Sequence, residues 1–261
     1  MKLPILVANF KMNLGLEETK VLLNDIFKGL KKIKNKLPVF DLVFCPNQLA
    51  LDLTQQIINK NRFAGINIYL GAQNCFWEER GAYTGEISPL FLKQLGCQYV
   101  LVGHSERRQF LDESIKMIRQ KLIAALNDGL TPILCASETF AERQSSARDY
   151  KIIEQVGRLL EGIKLKVDQR LVITYDPMWV FGPGQALQSE EVEYVNRLIA
   201  QKVIDLYPLP IVRQNIRFIY GGSIDHTNIQ KFLKQDTIDG VLVGAAALKA
   251  QEFIRLCQLM S

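Results

Sequence analysis

A closed (β/α)8 barrel in a single domain over residues 1–261 is the fold class this sequence predicts. Three observations lead there. Short apolar runs alternate with helical patterns eight times along the chain. The runs are continuously apolar, as strands are when helices cover both faces of a parallel sheet. No G-x-G-x-x-G follows any of them, which sets the open doubly wound sheet aside. The 261 residues, 48% of them hydrophobic, suffice for one large core, and no Pro/Gly/Ser-rich linker marks a boundary.

The first strand is expected over residues 4–10 and runs into Lys11-Met12-Asn13. A helix over 17–32 follows, with Val21, Leu22, Ile26, Leu30 and Ile33 near the helical period. The second strand, 41–45, is closed by Pro46-Asn47, and 49–59 reads as its helix. Residues 67–72 give the third strand, before a long loop from Gln73 to Glu86. The helix over 89–95 stops at Gly96. Strand four, 99–102, leads into Gly103-His104-Ser105-Glu106-Arg107-Arg108. An amphipathic helix over 113–128 stops at Gly129, strand five covers 132–135 and ends at Ala136-Ser137-Glu138, and a helix covers 147–160. Strand six, 171–175, is rich in β-branched and aromatic residues and halts at Asp176, which Pro177 biases toward extended backbone. Ser189 is expected to cap the next helix, with Glu190 and Glu191 in its first turn. Strands seven and eight, 216–220 and 240–243, end at Gly221-Gly222-Ser223 and Gly244-Ala245-Ala246, and a helix over 251–260 closes the chain.

Composition limits the partners. A net charge of +5 and a pI near 8.9 fit a small anionic substrate without calling for nucleic acid. The densest basic run, residues 28–36, falls at a helix end and reads as a solvated face near the negative dipole terminus. Five cysteines, odd in number and without C-x-x-C spacing, point to reduced thiols in the cytoplasm. The apolar run of residues 3–8 is too short for a membrane span and is broken by Pro4, so neither anchor nor signal peptide is expected.

In such a barrel the chemistry belongs on the loops after the strands' C-terminal ends, so the polar residues placed there are the candidates. Lys11 could hold an anion, although a lone lysine is more often just surface. His104 could polarise a carbonyl or move protons near neutral pH; a satisfied structural histidine is the equal alternative. His226 begins a helix in a polar turn and reads as surface. Asp176, an acid at a strand mouth before an apolar loop punctuated by Gly182-Pro183-Gly184, has the setting of a general base beside a closing loop. Taken alone, an aspartate ending a strand before an ordinary turn is the somewhat commoner case. The glycine loops at 221–223 and 244–245 allow backbone N–H groups to approach a phosphate. Each signal is weak alone; cation, imidazole, carboxylate and phosphate nest converge on one barrel face, and that coincidence favours function.

Along essentially the whole chain these residues resemble the triosephosphate isomerase family. The resemblance is carried by N-F-K-M-N at residues 9–13, G-A-Y-T-G-E at 81–86, V-G-H-S-E-R-R at 102–108 and Y-G-G-S at 220–223. It implies an aldose–ketose isomerase of glycolysis and gluconeogenesis, a small phosphorylated sugar as substrate, and neither metal nor organic cofactor. Asn9 and Lys11 would bind substrate, Lys11 also offsetting developing negative charge; neutral His104 would donate a hydrogen bond to the enediolate oxygens. Asp176 falls where the family has its catalytic glutamate, Glu106 would orient Lys11, and Gly182, Ser223, Gly244 and Ala245 would offer N–H groups to the phosphate. The loop from Gln73 to Glu86 would form a homodimer through Phe76, Trp77 and Tyr83, with Thr84 reaching the neighbouring subunit's active site.

Three departures stand out. The base is one methylene shorter, losing on the order of 1 Å of reach, an error of the size that costs about 10²-fold in rate. The loop reads V-F-G-P-G-Q, where Pro183 removes an N–H, in place of A-I-G-T-G-K. G-A-A-A at 244–247 replaces G-G-A-S, which Ala245 tolerates only at negative φ. Two other functions therefore stay open: an isomerase of a slightly larger sugar phosphate, and a phosphate-ligand binder without catalysis.

Overall fold

Eight parallel strands pair in sequence order and the last closes on the first. They are β1 (Ile5–Asn9), β2 (Phe40–Cys45), β3 (Ile66–Ala72), β4 (Cys97–Val102), β5 (Thr131–Ala136), β6 (Leu171–Tyr175), β7 (Ile216–Tyr220) and β8 (Gly240–Val243). The computed structural model describes residues 2–179 and 187–261. Among them the helices are α1 (Leu16–Lys32), α2 (Leu51–Asn59), α3 (Pro89–Leu95), α4 (Ser105–Phe110), α5 (Ile115–Asn127), α6 (Phe140–Gln144), α7 (Arg148–Leu160), α8 (Ser189–Leu206), α9 (Leu209–Asn215), α10 (Ile229–Leu233) and α11 (Ala250–Gln258).

The continuous apolar strands are buried on both faces. One set of alternate residues, including Ile5, Val7, Val43, Leu101, Ile133 and Val172, forms its own cluster. The pairings Val7↔Val43, Leu101↔Ile133 and Ile133↔Val172 place that set inside the barrel. The other set, with Leu6, Phe44, Val100, Leu134 and Ile173, packs outward against helix residues such as Leu23, Leu122 and Val195. Complete burial of each such side chain contributes roughly 1.5–3 kcal/mol, so the strand-end loops sit on a stiff base.

Some boundaries differ from expectation. Three short helices, α4, α6 and α9, stand where no separate helix was expected. Ser189 lies inside α8 instead of capping it: Gln188 is the cap residue, and the Ser189 hydroxyl donates to Glu190 Oε1 at 3.0 Å. Gly96 does end α3, in the left-handed region at φ 106°.

Beneath α4 lies a buried charged cluster. Glu113 is 2.8 Å from Lys121 Nζ and accepts from Arg107 Nε at 2.5 Å, while Lys121 also donates to Asn74 Oδ1 at 2.9 Å. It joins α4 and α5 to the start of the loop after β3. Removing one partner of a buried pair leaves the other charge uncompensated, so Lys121→Met is expected to destabilise the fold by about 3 kcal/mol. The urea midpoint checks this; an unchanged midpoint would mean that Arg107 alone satisfies Glu113.

Candidate active site

At the C-terminal mouth of the barrel a cavity of about 370 Å³ brings together Lys11, His104, Asp176, Ser223, Gly244 and Ala245. Asn9 stands beside it, buried, with its Oδ1 accepting from the Lys11 N–H at 3.0 Å. Gly182 lies outside the described residues.

Lys11 has φ 53°, in the left-handed region that an L side chain seldom adopts. Asn9 fixes its N–H, and Gln73 Nε2 donates to both the Lys11 and Cys45 carbonyls at 2.9 Å. The strained turn aims the ammonium inward, where Nζ meets Glu106 Oε1 at 2.6 Å. A Cβ on Gly244 would come within 3.1 Å of Lys11 Cε, so the loops after β1 and β8 touch across this side chain.

Gly103, at φ 73°, turns the chain out of β4; a Cβ there would strike Ile118. His104 then caps α4, its Nδ1 accepting the Glu106 N–H at 3.3 Å. A ring nitrogen that accepts a hydrogen bond carries no proton, so in the neutral ring the hydrogen is on Nε2. That Nε2 lies 3.7 Å from Asp176 Oδ2. The same carboxylate oxygen accepts the Ser105 N–H at 2.9 Å, so the first turn of α4 holds both imidazole and acid. Asp176 is 5% exposed. Burial, and after it the Asp176 charge, pushes the thiol of Cys135 well above its ordinary range. Arg108, whose pKa burial lowers, donates to the Gly103 and Cys135 carbonyls at 3.0 Å and ties the mouths of β4 and β5 together.

After β7, the Gly221 N–H donates to the Tyr175 carbonyl at 2.8 Å, so this glycine serves the barrel. A Cβ on Gly222 would lie 1.9 Å from Tyr220 Oη, which leaves no room for a side chain. Ala245 opens the 3-10 turn Ala245–Leu248 at the cavity, and its N–H is one that the turn does not use. Lys11 and Asp112 are the described non-glycine residues at positive φ, so Ala245 meets its requirement.

One expectation is corrected. His226 is not simply surface: it lines the cavity, and its Nδ1 lies 2.7 Å from Glu252 Oε1. Contact with the α11 carboxylate, which also accepts the His226 N–H at 2.8 Å, explains the difference, since no local sequence pattern places Glu252 there. Sequence reasoning passed over Gln73 and Ser105. The first is a polar side chain at a strand mouth and fell under the rule applied elsewhere; the second acts through its backbone, which residue type does not reveal.

Among the described residues, no group of three or more His, Cys, Asp or Glu side chains is arranged to hold a metal ion, and no helix is long and apolar enough to cross a membrane. A sequence model described as triosephosphate isomerase matches residues 4–260. Curated proteins of that name are similar along their full length. The one from Dictyoglomus thermophilum is 40% identical over 253 residues, covering 97% of this chain and 98% of its own. That of Thermoanaerobacter sp. is 36% identical over 256 residues, covering 98% and 99%. That of Lactobacillus delbrueckii subsp. bulgaricus is 35% identical over 256 residues, covering 97% and 96%. Matched from its first strand to its last helix, the chain belongs to the triosephosphate isomerase family.

Proposed function

We propose that this enzyme interconverts dihydroxyacetone phosphate and D-glyceraldehyde 3-phosphate, with Asp176 moving one proton between neighbouring carbons. The observation that carries the reading is the pairing of an oxygen base with an N–H donor, Asp176 Oδ2 at 3.7 Å from His104 Nε2, in a cavity that also holds Lys11. Asp176 takes the proton from the carbon beside the carbonyl, and the C–H electrons form the enediolate double bond. Charge moves to the former carbonyl oxygen, where His104 Nε2–H and the Lys11 ammonium stabilise it. His104 Nε2 gives its proton to that oxygen and takes one from the hydroxyl on the neighbouring carbon. As that hydroxyl becomes the new carbonyl, Asp176 returns its proton to the adjacent carbon, which yields the aldose. Glu106 acts through Lys11, which it holds at 2.6 Å. Ser223, Gly244 and Ala245 line the cavity, and their backbone is the part of the site that suits the phosphate. One oxygen of Asp176 rests on the Ser105 N–H, and the short arm makes the placement of the other critical.

The test is a coupled assay with triose and tetrose phosphates. Turnover of the triose that Asp176→Ala abolishes supports the reading; faster tetrose turnover supports the larger-sugar isomerase. Phosphoglycolate binding without any turnover supports the binder.

The same reading includes a homodimer through the loop from Gln73 to Glu86. Its base is self-packed, with Phe76 stacked on Trp77 at 4.0 Å and near Tyr83 at 4.7 Å. Residues 78–86, Thr84 among them, are exposed. Met12, Leu49, Tyr83 and Phe110, in the segments that follow four neighbouring strands, are exposed at 95%, 87%, 45% and 66%. Apolar exposure gathered at one edge of the barrel mouth supports a covered surface. Tyr83→Asp is expected to weaken self-association by about 10²-fold or more, read by sedimentation equilibrium. A wild-type chain that stays monomeric at micromolar concentration would remove the dimer. Cytoplasmic placement belongs to this reading too, supported by five buried, unpaired cysteines.

A further inference from the structure

We infer that Arg143 is a positioning residue for Asp176, clamping the chain where it leaves the acid; this rests on the reading of Asp176 as the base. Beyond β6 the segment 176–179 continues alongside the end of β5. The Asp176 N–H donates to the Ala136 carbonyl at 2.8 Å and the Met178 N–H to the Glu138 carbonyl at 2.9 Å. Trp179 follows, and its indole Nε1 is buried with no hydrogen-bond partner among the described residues. The ring is therefore held by its faces and edges. The Arg143 guanidinium lies over it, 4.3 Å from the centroid, and Phe140 meets it at 5.8 Å and 61°.

Arg143 is itself fixed. Its Nε and Nη2 donate as a fork to the two oxygens of Glu191, at 3.0 and 2.9 Å, in the first turn of α8. Glu191 also pairs with Arg148 at 3.2 Å, and Arg148 forks onto the buried Glu138 at 2.8 and 2.9 Å. Glu138 accepts from Tyr175 Oη, on the residue before Asp176. Two arginines from α6 and α7 thus fasten both sides of the acid: Arg148 through Tyr175, Arg143 through Trp179. The first route is a strand side chain already locked in the barrel. The second passes through an indole that also meets Phe140 and the edge of the core, and Arg143 is the contact that ties this ring to the first turn of α8 through Glu191. With an arm one methylene short, the carboxylate has little slack to absorb a shift of this segment.

The experiment measures kcat and KM for Arg143→Met and Arg143→Lys, per site titrated with phosphoglycolate, together with the primary deuterium isotope effect on kcat. Arg143→Met is expected to lower kcat by about 10- to 100-fold, with KM within about threefold and a larger isotope effect, because a displaced base slows the proton step. Arg143→Lys keeps a charge for Glu191 but loses the planar stack and fork, so it regains no more than about threefold. Glu191→Gln frees the guanidinium without touching the indole and is expected to lower kcat in the same direction, by about five- to tenfold. A kcat within twofold of wild type for Arg143→Met, a loss confined to KM, or an unchanged isotope effect overturns the clamp. Asp176→Ala run in parallel keeps the two readings apart. If it retains turnover, the base assignment falls; if it is inactive while Arg143→Met is undisturbed, only the clamp falls.

Discussion

Asp176→Asn is expected to lower kcat by about 10³-fold or more while phosphoglycolate affinity changes by only a few-fold. Asparagine has the same shape and keeps an oxygen for the Ser105 N–H, which Asp176 Oδ2 now accepts at 2.9 Å. The segment at Asp176 should therefore hold its place, and the cation and backbone groups that the proposal assigns to the phosphate are untouched. What disappears is the basic lone pair, because an amide does not take a proton from carbon near neutral pH. A loss in kcat without a matching loss in binding is the signature of a group that acts only in the transition state. A variant retaining a tenth of wild-type turnover would require another base in the cavity. Asp176→Glu asks the complementary question. The native carboxylate already reaches both Ser105 and the neighbourhood of His104, so the extra methylene is expected to give equal or lower kcat. A tenfold gain would show instead that the native acid stands too far from carbon.

Architecture was legible because it rests on patterns many residues long. The limits of β6, β7 and β8 coincide with the expected 171–175, 216–220 and 240–243, since apolar runs that halt at Asp176-Pro177, Gly221 and Gly244 leave little choice of end. α4 and α6 escaped for the opposite reason: at six and five residues they span less than two turns and show no periodicity. Candidate residues could be placed at the barrel mouth because strand order brings all eight ends to one face. Their orientation was not legible. The φ of 53° at Lys11 depends on Gln73, some sixty residues away, and the contact of His226 depends on Glu252 in another helix. Arg143 carries no sequence signal for its role, because Trp179 and Glu191 become its neighbours only after the barrel closes.

The second large effect concerns Lys11, where removing one charge uncovers another. Lys11→Met is expected to reduce kcat/KM by about 10³-fold. Part of that loss is the missing ammonium, to which the proposed mechanism assigns both attraction of the phosphorylated substrate and stabilisation of charge growing on the substrate oxygen. The remainder comes from Glu106, whose carboxylate now sits 2.6 Å from Nζ and would be left unpaired beside the cavity. An unpaired carboxylate repels the same anion that the lysine attracted. The two contributions separate in Lys11→Met/Glu106→Gln, which is expected to recover about tenfold over the single variant by removing the repulsion. Backbone rearrangement predicts otherwise. Asn9 and Gln73 bind the main chain at residue 11 whatever its side chain, so the left-handed turn should persist and the unfolding midpoint should barely move. A double variant worse than the single one would mean that Glu106 serves the reaction directly, not through Lys11. A single variant within tenfold of wild type would mean that the substrate's negative charge is met elsewhere, and the cavity around Lys11 would then need another purpose.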